Sequence, residues 1–443
     1  MSEQKDITTI AQQQPADNDP RAWKAYWEKQ GQTWRSEPEI SPERQAELAA
    51  RRSIVPDVQQ GTYPFKGIKL SRADVEWLLA THEDGRGPVD YHDSEQRERV
   101  GLDLRGADLS HADLQNLPLA RTIGDVTWRT WANLTEEQHQ MAAVFLQRAD
   151  LKGAFLEGAS LEYAHLEEAD LRGAHLEEAN LGEARMMGAY LEGANLEGAD
   201  LWLAHCEHTF FWRVRLSGAR LAEVHMLGAH LDRMQLANDE GVGPLLADVL
   251  WEGANLAVVD WSQVRMLGDE YRARQKQQDG QEKDRETRLK EYDQAVRANR
   301  QLAVALQSQG LNEDAARFAY RGQVLQRQVF RQQGMRKLGS YLFSLFLALL
   351  TGYGYRMWRI IIAYALANLV FASLYFSMGF SVPPHITWTH ALVLSITAFH
   401  GRVFSSPFLP DSPQSTVTAF EAVIGLIFEG VFIAMLTQRF FSR

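Results

Sequence analysis

The stretch RADLKGAFLEGASLEYAHLEEADLRGAHLEEANL, residues 148–181, places Leu at 151, 156, 161, 166, 171, 176 and 181, with Ala two residues before each. A step of five belongs neither to an α-helix nor to a flat strand, whose side-chain periods are 3.6 and 2. The beat continues through Leu191, Leu196, Leu201, Cys206, Phe211, Leu216, Leu221, Met226, Leu231 and Leu236. It fits a solenoid in which each step is one side of a coil, with Leu and Ala inward and the other three residues toward water.

Working outward, Leu104, Leu109, Leu114 and Leu119 keep the step in another register, so residues 122–143 (TIGDVTWRTWANLTEEQHQMAA) are read as an insertion. Trp251, Leu256, Trp261 and Met266 resume the main register after a second interruption near 237–248. These residues resemble the pentapeptide-repeat family, whose chains wind a right-handed quadrilateral β-helix with about 20 residues per coil. The resemblance implies that residues 102–267 form such a rod, on the order of 20 Å for the nearly five coils from Leu146 to Leu236. It says little about function, since one scaffold serves unrelated tasks.

Residues twenty apart should stack. His165, Arg185, His205 and His225 then share a column, and Glu157, Glu177 and Glu197 another. A His205–His225 pair has metal-ligand chemistry, but Arg185 beside it opposes a cation, and the glutamates read as a solvated face. No metal and no cofactor are expected. Cys206 falls on an inward position, and as a single cysteine it excludes an internal disulfide. No P-loop, G-x-S-x-G or H-E-x-x-H motif is present, so an enzyme is not expected.

The net charge of -11 is unevenly held: five Lys and Arg against three Asp and Glu after residue 340 leave about -13 on residues 1–340. That argues against nucleic acid as a partner. The polar start MSEQKDITTI lacks the apolar stretch of a secretory signal, which puts the first 340 residues in the cytoplasm. Residues 1–60 read as a polar arm, partly disordered by composition, whose Trp23, Trp27 and Trp34 suit docking. Residues 61–101 read as a helical cap, with Ser71 and Asp74 as a capping box. Residues 268–337 read as a charged helical hairpin similar to tetratricopeptide units, bracing a neighbouring domain.

The C-terminal quarter changes character. Residues 357–379 and 415–443 each hold enough apolar residues to cross a hydrocarbon core of about 30 Å, whereas residues 338–356 suit a helix lying in the interface. Lys337, Arg356, Arg359, Arg439 and Arg443 put both ends on the cytoplasmic side. The letters Thr351, Gly352, Tyr353 and Gly354 resemble a potassium filter but precede the first crossing, and are read as a turn leading into the membrane. Between the crossings, WTHALVLSITAF is an apolar helix too short to span.

Outer helix, short helix, loop and inner helix resemble the two-crossing potassium-channel family. The resemblance implies a homotetramer with a re-entrant pore helix and filter-like loop over residues 387–404, Ser395, Thr397, Phe399, His400, Gly401 and Arg402 forming the constriction. His400, Gly401 and Arg402 stand where the family's glycine-tyrosine-glycine carbonyls belong, so potassium selectivity is not carried over. Glu421 and Glu429, in an apolar segment, demand a wet or paired environment, and steps of four align them with Gly425 as pore-lining candidates. Glu421 could instead hold the loop through Arg402; if Arg402 is free, its copies would favour anions.

The expectation is therefore an oligomeric ion channel of a bacterial cytoplasmic membrane, with membrane lipid and a permeant ion as partners and a cytoplasmic ligand or protein left open. Since the chain stops just past the inner helix, Tyr341, Tyr353, Tyr355, Arg356 and Trp358 are the expected route for a gating signal. The alternative is a non-conducting, membrane-tethered β-helix scaffold that binds a protein. A third reading follows repeat proteins that imitate DNA and bind gyrase, which a membrane anchor makes awkward.

Overall fold

The computed structural model describes residues 14–15, 19–126, 134–278, 280–354, 357–378, 387–402 and 412–441. The chain divides into two compact units, Met1–Gly322 and Gln323–Arg443.

The first unit opens with α1 (Pro20–Lys29), α2 (Pro42–Arg52) and α3 (Arg72–Ala80). Each starts on a side-chain cap, from Asp19, Ser41 and Ser71, and α3 has the complete Ser71–Asp74 capping box. Residues 19–60 are not a loose arm: Trp23 and Trp27 are buried, and Leu48 joins the core of the rod. Their anchor is the fully buried Glu76, which accepts from the backbone N–H groups of Ser36 and Glu37 at 2.9 Å and from Arg72 Nε at 2.8 Å.

The rod follows. Parallel bridges join residues twenty apart, as in Asp150↔Asp170↔Tyr190↔Phe210↔His230. Leu151 donates its N–H to Asp170 O at 2.7 Å and Asp170 donates to Ala149 O at 2.9 Å, so adjacent coils satisfy each other's backbone groups. Leu and Ala of the five-residue beat are almost entirely excluded from water, forming one continuous core. Two residues after Leu151 and Leu166, and after most Leu of the beat, the chain turns a corner in the left-handed region, at Gly153 (φ 62°) and also where no glycine stands, as at Glu168 (φ 57°).

Both interruptions are register shifts. Asp108↔Phe145 and Asp113↔Asp150 are spaced by 37, one coil plus 17 residues. The excess carries α4 (Glu136–Ala142), capped by Thr135 and Gln138. Near the far end the spacing becomes 25, at Arg220↔Leu245 and His225↔Leu250, which adds one five-residue side.

The rod is closed by α5 (Gly268–Arg274), a two-residue hairpin of β1 (Gln277–Gln278) and β2 (Gln281–Glu282), α6 (Arg285–Ser308) and α7 (Asn312–Gln333). Leu302, Leu306 and Phe318 enter the same core as Leu256 and Trp261. Gln309 Nε2 donates to Ala254 O at 2.8 Å, and Arg321 pairs with the buried Glu270 at 2.9 Å.

In the second unit a 3-10 turn (Gly334–Lys337) leads to α8 (Leu338–Thr351), α9 (Met357–Met378), α10 (Trp388–Phe399) and α11 (Pro413–Phe441). Trp358–Met378 and Pro413–Met435 are each long and apolar enough to cross a membrane. The twelve-residue α10 packs against both. The TGYG letters terminate α8: Gly352, at φ 56°, returns its N–H to Ala348 O at 3.1 Å, and Thr351 Oγ1 accepts from Gly354 N–H at 3.2 Å.

Candidate functional site: a short helix bonded between two membrane-length helices

Thr387 caps the start of α10, and the apolar run ends at His400, where the chain breaks out of the helix into Gly401 (φ 62°). Midway along, Ser395 is fully buried. Its hydroxyl lies 2.5 Å from Glu421 Oε1 on α11, and 3.1 Å from the backbone oxygen of Asn368 on α9. Glu421, with no exposed surface, receives a second hydrogen bond from Tyr375 at 2.6 Å. Tyr375 also reaches Thr418 Oγ1 at 3.3 Å. A carboxyl group inside an apolar segment is tolerated when protein donors replace water, and here two hydroxyls from two different helices do so.

One helical turn further along α11, Gly425 lies under the C-terminal carbonyl of α10. A methyl carbon built there would stand 1.6 Å from Phe399 O, so only glycine permits this approach. Phe399 itself is buried, packing edge-on against Tyr364 and Phe428. The stripe drawn along α11 therefore divides. Glu421 and Gly425 face α10 within the same chain, not an open lumen, because their side-chain positions are filled by Ser395 and Phe399.

Glu429 does not share that burial. Its side chain is 46% exposed and takes a 2.6 Å contact from His400 Nδ1, while His400 Nε2 lies 3.2 Å from the Tyr364 hydroxyl. Tyr364, His400 and Glu429 thus form a polar chain at the C-terminal end of α10, drawn from three helices. Gly401 and Arg402 beside it are exposed. Among the described residues no ion pair joins Arg402 to Glu421, so the loop is not held that way; Tyr375 and Ser395 occupy both oxygens. Thr397 bonds back to its own helix at Val393 O and Leu394 O.

Of the residues expected to carry a gating signal, Tyr353 meets Ser344 Oγ at 2.9 Å across the end of α8; Arg359, read in the sequence only as a charge on the cytoplasmic side, reaches Ala348 O at 3.0 Å. Tyr341 is half-buried and Trp358 exposed; Tyr355 and Arg356 lie outside the described residues. Sequence reasoning missed Asn368, Tyr375 and Tyr364. Their signal is three hydrogen-bonding side chains at 364, 368 and 375 in a largely apolar helix, at spacings of four and seven that share one face.

Comparison with known proteins bears on the rod. Residues 144–177 and 164–202 match the profile of the pentapeptide repeats. Among solved structures, the chain is similar to the pentapeptide repeat protein Rfr23 from the cyanobacterium Cyanothece 51142, at 26% identity over 33% of this chain and 91% of that one, TM-score 0.22. It is also similar to HetL from Nostoc sp. strain PCC 7120, a pentapeptide repeat protein involved in heterocyst differentiation regulation, at 22% identity over 38% and 92%, TM-score 0.17. A third is a trypsin-treated form of the fluoroquinolone resistance protein QnrB1, at 20% identity over 38% and 79%, TM-score 0.19. The search of curated proteins returned no match. The class is that of a pentapeptide-repeat β-helix joined in one chain to a helical unit with two membrane-length helices.

Proposed function

We propose that the second unit is the protomer of an oligomeric ion-conducting pore in a bacterial cytoplasmic membrane, and that the β-helix is its cytoplasmic sensory or scaffold domain. The observation that carries the reading is the seat of α10: a helix too short to cross is bonded between two helices that can. Four side chains on three helices (Asn368, whose Oδ1 lies 3.3 Å from Ser395 Oγ, Tyr375, Ser395 and Glu421) and one obligatory glycine fix its depth and direction. An apolar hairpin serving only as an anchor has no use for such a seat.

The exposed groups support an assembly. Glu429, His400 and Arg402 lie open on a single chain, and a carboxylate facing lipid at the helix centre costs roughly 2.5–3.5 kcal/mol. Several copies around an axis, four by the channel resemblance, would turn those groups toward shared water. In this arrangement α10 is the pore helix, residues 400–402 border the constriction and Glu429 lines the inner helix. Glu421 and Gly425 hold the pore helix from behind. No catalytic chemistry is assigned.

Currents from purified full-length protein in planar bilayers test the proposal. Discrete openings whose reversal potential shifts under a salt gradient, and whose conductance changes in Glu429→Gln, support it. The non-conducting scaffold reading gives an electrically silent protein that still captures a protein partner through the rod.

A further inference from the structure

We propose that Glu157, His175 and Glu177 on the rod, together with His92 of the loop after α3, bind one divalent transition-metal ion that fastens this loop to the β-helix. Glu157 and Glu177 stack on adjacent coils because they are twenty residues apart, and His175 reaches the same spot from two positions before Glu177. One ligand atom from each of the three lies within 4.8 Å of the others. His92 Nε2 lies 3.7 Å from Glu157 Oε1, and His175 Nδ1 lies 3.6 Å from Glu177 Oε1. Both separations are too long for hydrogen bonds. They approach the edge of a tetrahedral shell, about 3.3 Å for metal–ligand bonds near 2.0 Å.

The second observation is independent of that clustering. Glu157 is 1% exposed, and among the described residues neither of its carboxylate oxygens has a hydrogen-bond partner. Glu157 is therefore no part of a solvated face. Glu177 gives one oxygen to Asn195 Nδ2, and its Oε2 is buried without a partner. A buried acid without donors is costly, and a cation removes that cost.

The surroundings position the ligands. The His175 ring stacks on Phe155 at 4.9 Å and 13°. Tyr91 hydrogen-bonds Glu178 Oε2 at 2.5 Å, and His92 N–H meets Asp90 Oδ1 at 3.0 Å, which sets His92 over the site. Two imidazoles and two carboxylates suit Zn²⁺ or Co²⁺ and disfavour Ca²⁺ and Mg²⁺, which take oxygen shells. A similar trio, His205, Glu207 and His225, has no deeply buried member, the lowest side-chain exposure being 16% at Glu207. It serves as the internal control.

The test uses chelator-stripped full-length protein in detergent, titrated with Zn²⁺ against a chromophoric chelator and with Co²⁺ by visible absorption. One equivalent with tetrahedral Co²⁺ bands is expected. Glu157→Gln and the exposed His92→Ala should each weaken Zn²⁺ at least about tenfold, with unchanged circular dichroism. Zn²⁺ should also slow proteolysis within residues 81–99 in the parent and not in His92→Ala. Absence of stoichiometric binding overturns the proposal. So does an affinity equal to the parent's in both variants, or loss of binding in His205→Ala/His225→Ala with Glu157→Gln unaffected.

Discussion

Gly425→Ala probes the seat of α10 most sharply. The added methyl carbon would lie 1.6 Å from Phe399 O, where ordinary contact begins near 3.4 Å, so the end of α10 and α11 must part by the difference, about 1.8 Å. If Ser395, one turn earlier on α10, moves with that end, its 2.5 Å bond to Glu421 opens to about 4.3 Å and is lost. Overpacking costs about 1–3 kcal/mol, and a buried acceptor deprived of one donor about 1–3 kcal/mol more. The expected destabilisation is about 2–6 kcal/mol. Denaturant unfolding in detergent measures it, and a cycle with Ser395→Ala identifies its source. Because both substitutions remove the same hydrogen bond, the double variant should lose clearly less than the sum of the singles. A Gly425→Ala protein within about 0.5 kcal/mol of the parent, or strict additivity, would refute this account.

Two predictions concern the rod and its cap. Burial pushes the Glu162 carboxyl up to about 7 from an unfolded value of 4.5, so its contribution to stability is full below pH 4.5 and falls away as the pH rises through 7. Glu162→Gln should therefore stabilise the protein at pH 8 by about 1–2 kcal/mol, roughly half the full linkage value for a partly screened group, and give no gain at pH 4; melts showing the same shift at both pH values would contradict it. Glu76→Ala leaves Arg72 Nε and the N–H groups of Ser36 and Glu37 without their shared acceptor. A loss of about 3–5 kcal/mol is expected, with new protease cleavage between α1 and α2; a cleavage pattern identical to the parent's would show that Glu76 is not the anchor.

The rod was legible because its rule is local: every fifth residue must fill the same interior, so Leu and Ala recur whatever the outer residues do. Register was less so. Leu104 to Leu119 betray a shift, but only the pairing of Asp108 with Phe145 shows that the excess is 17 residues. In the N-terminal segment the three tryptophans are legible as docking residues, but the polar composition hides that residues 19–60 rest on one buried acid, Glu76, forty residues away. In the second unit the length rule separates α10 from its neighbours, and the αL glycine explains why TGYG is a helix stop. The partner of Glu421 was not legible. Arg402 is the obvious counter-charge in the sequence, yet two neutral hydroxyls satisfy the acid without desolvating a second charge. Nor does spacing disclose His92 beside Glu157, because that contact depends on how the loop after α3 lies on the coil.

The most direct measurement is single-channel recording from purified full-length protein in bilayers, across voltage, membrane tension, pH and salt. Discrete conductance steps, altered in amplitude by Glu429→Gln and by His400→Ala, are the predicted result. A stably folded, oligomeric protein that stays silent under every one of those conditions would contradict the pore.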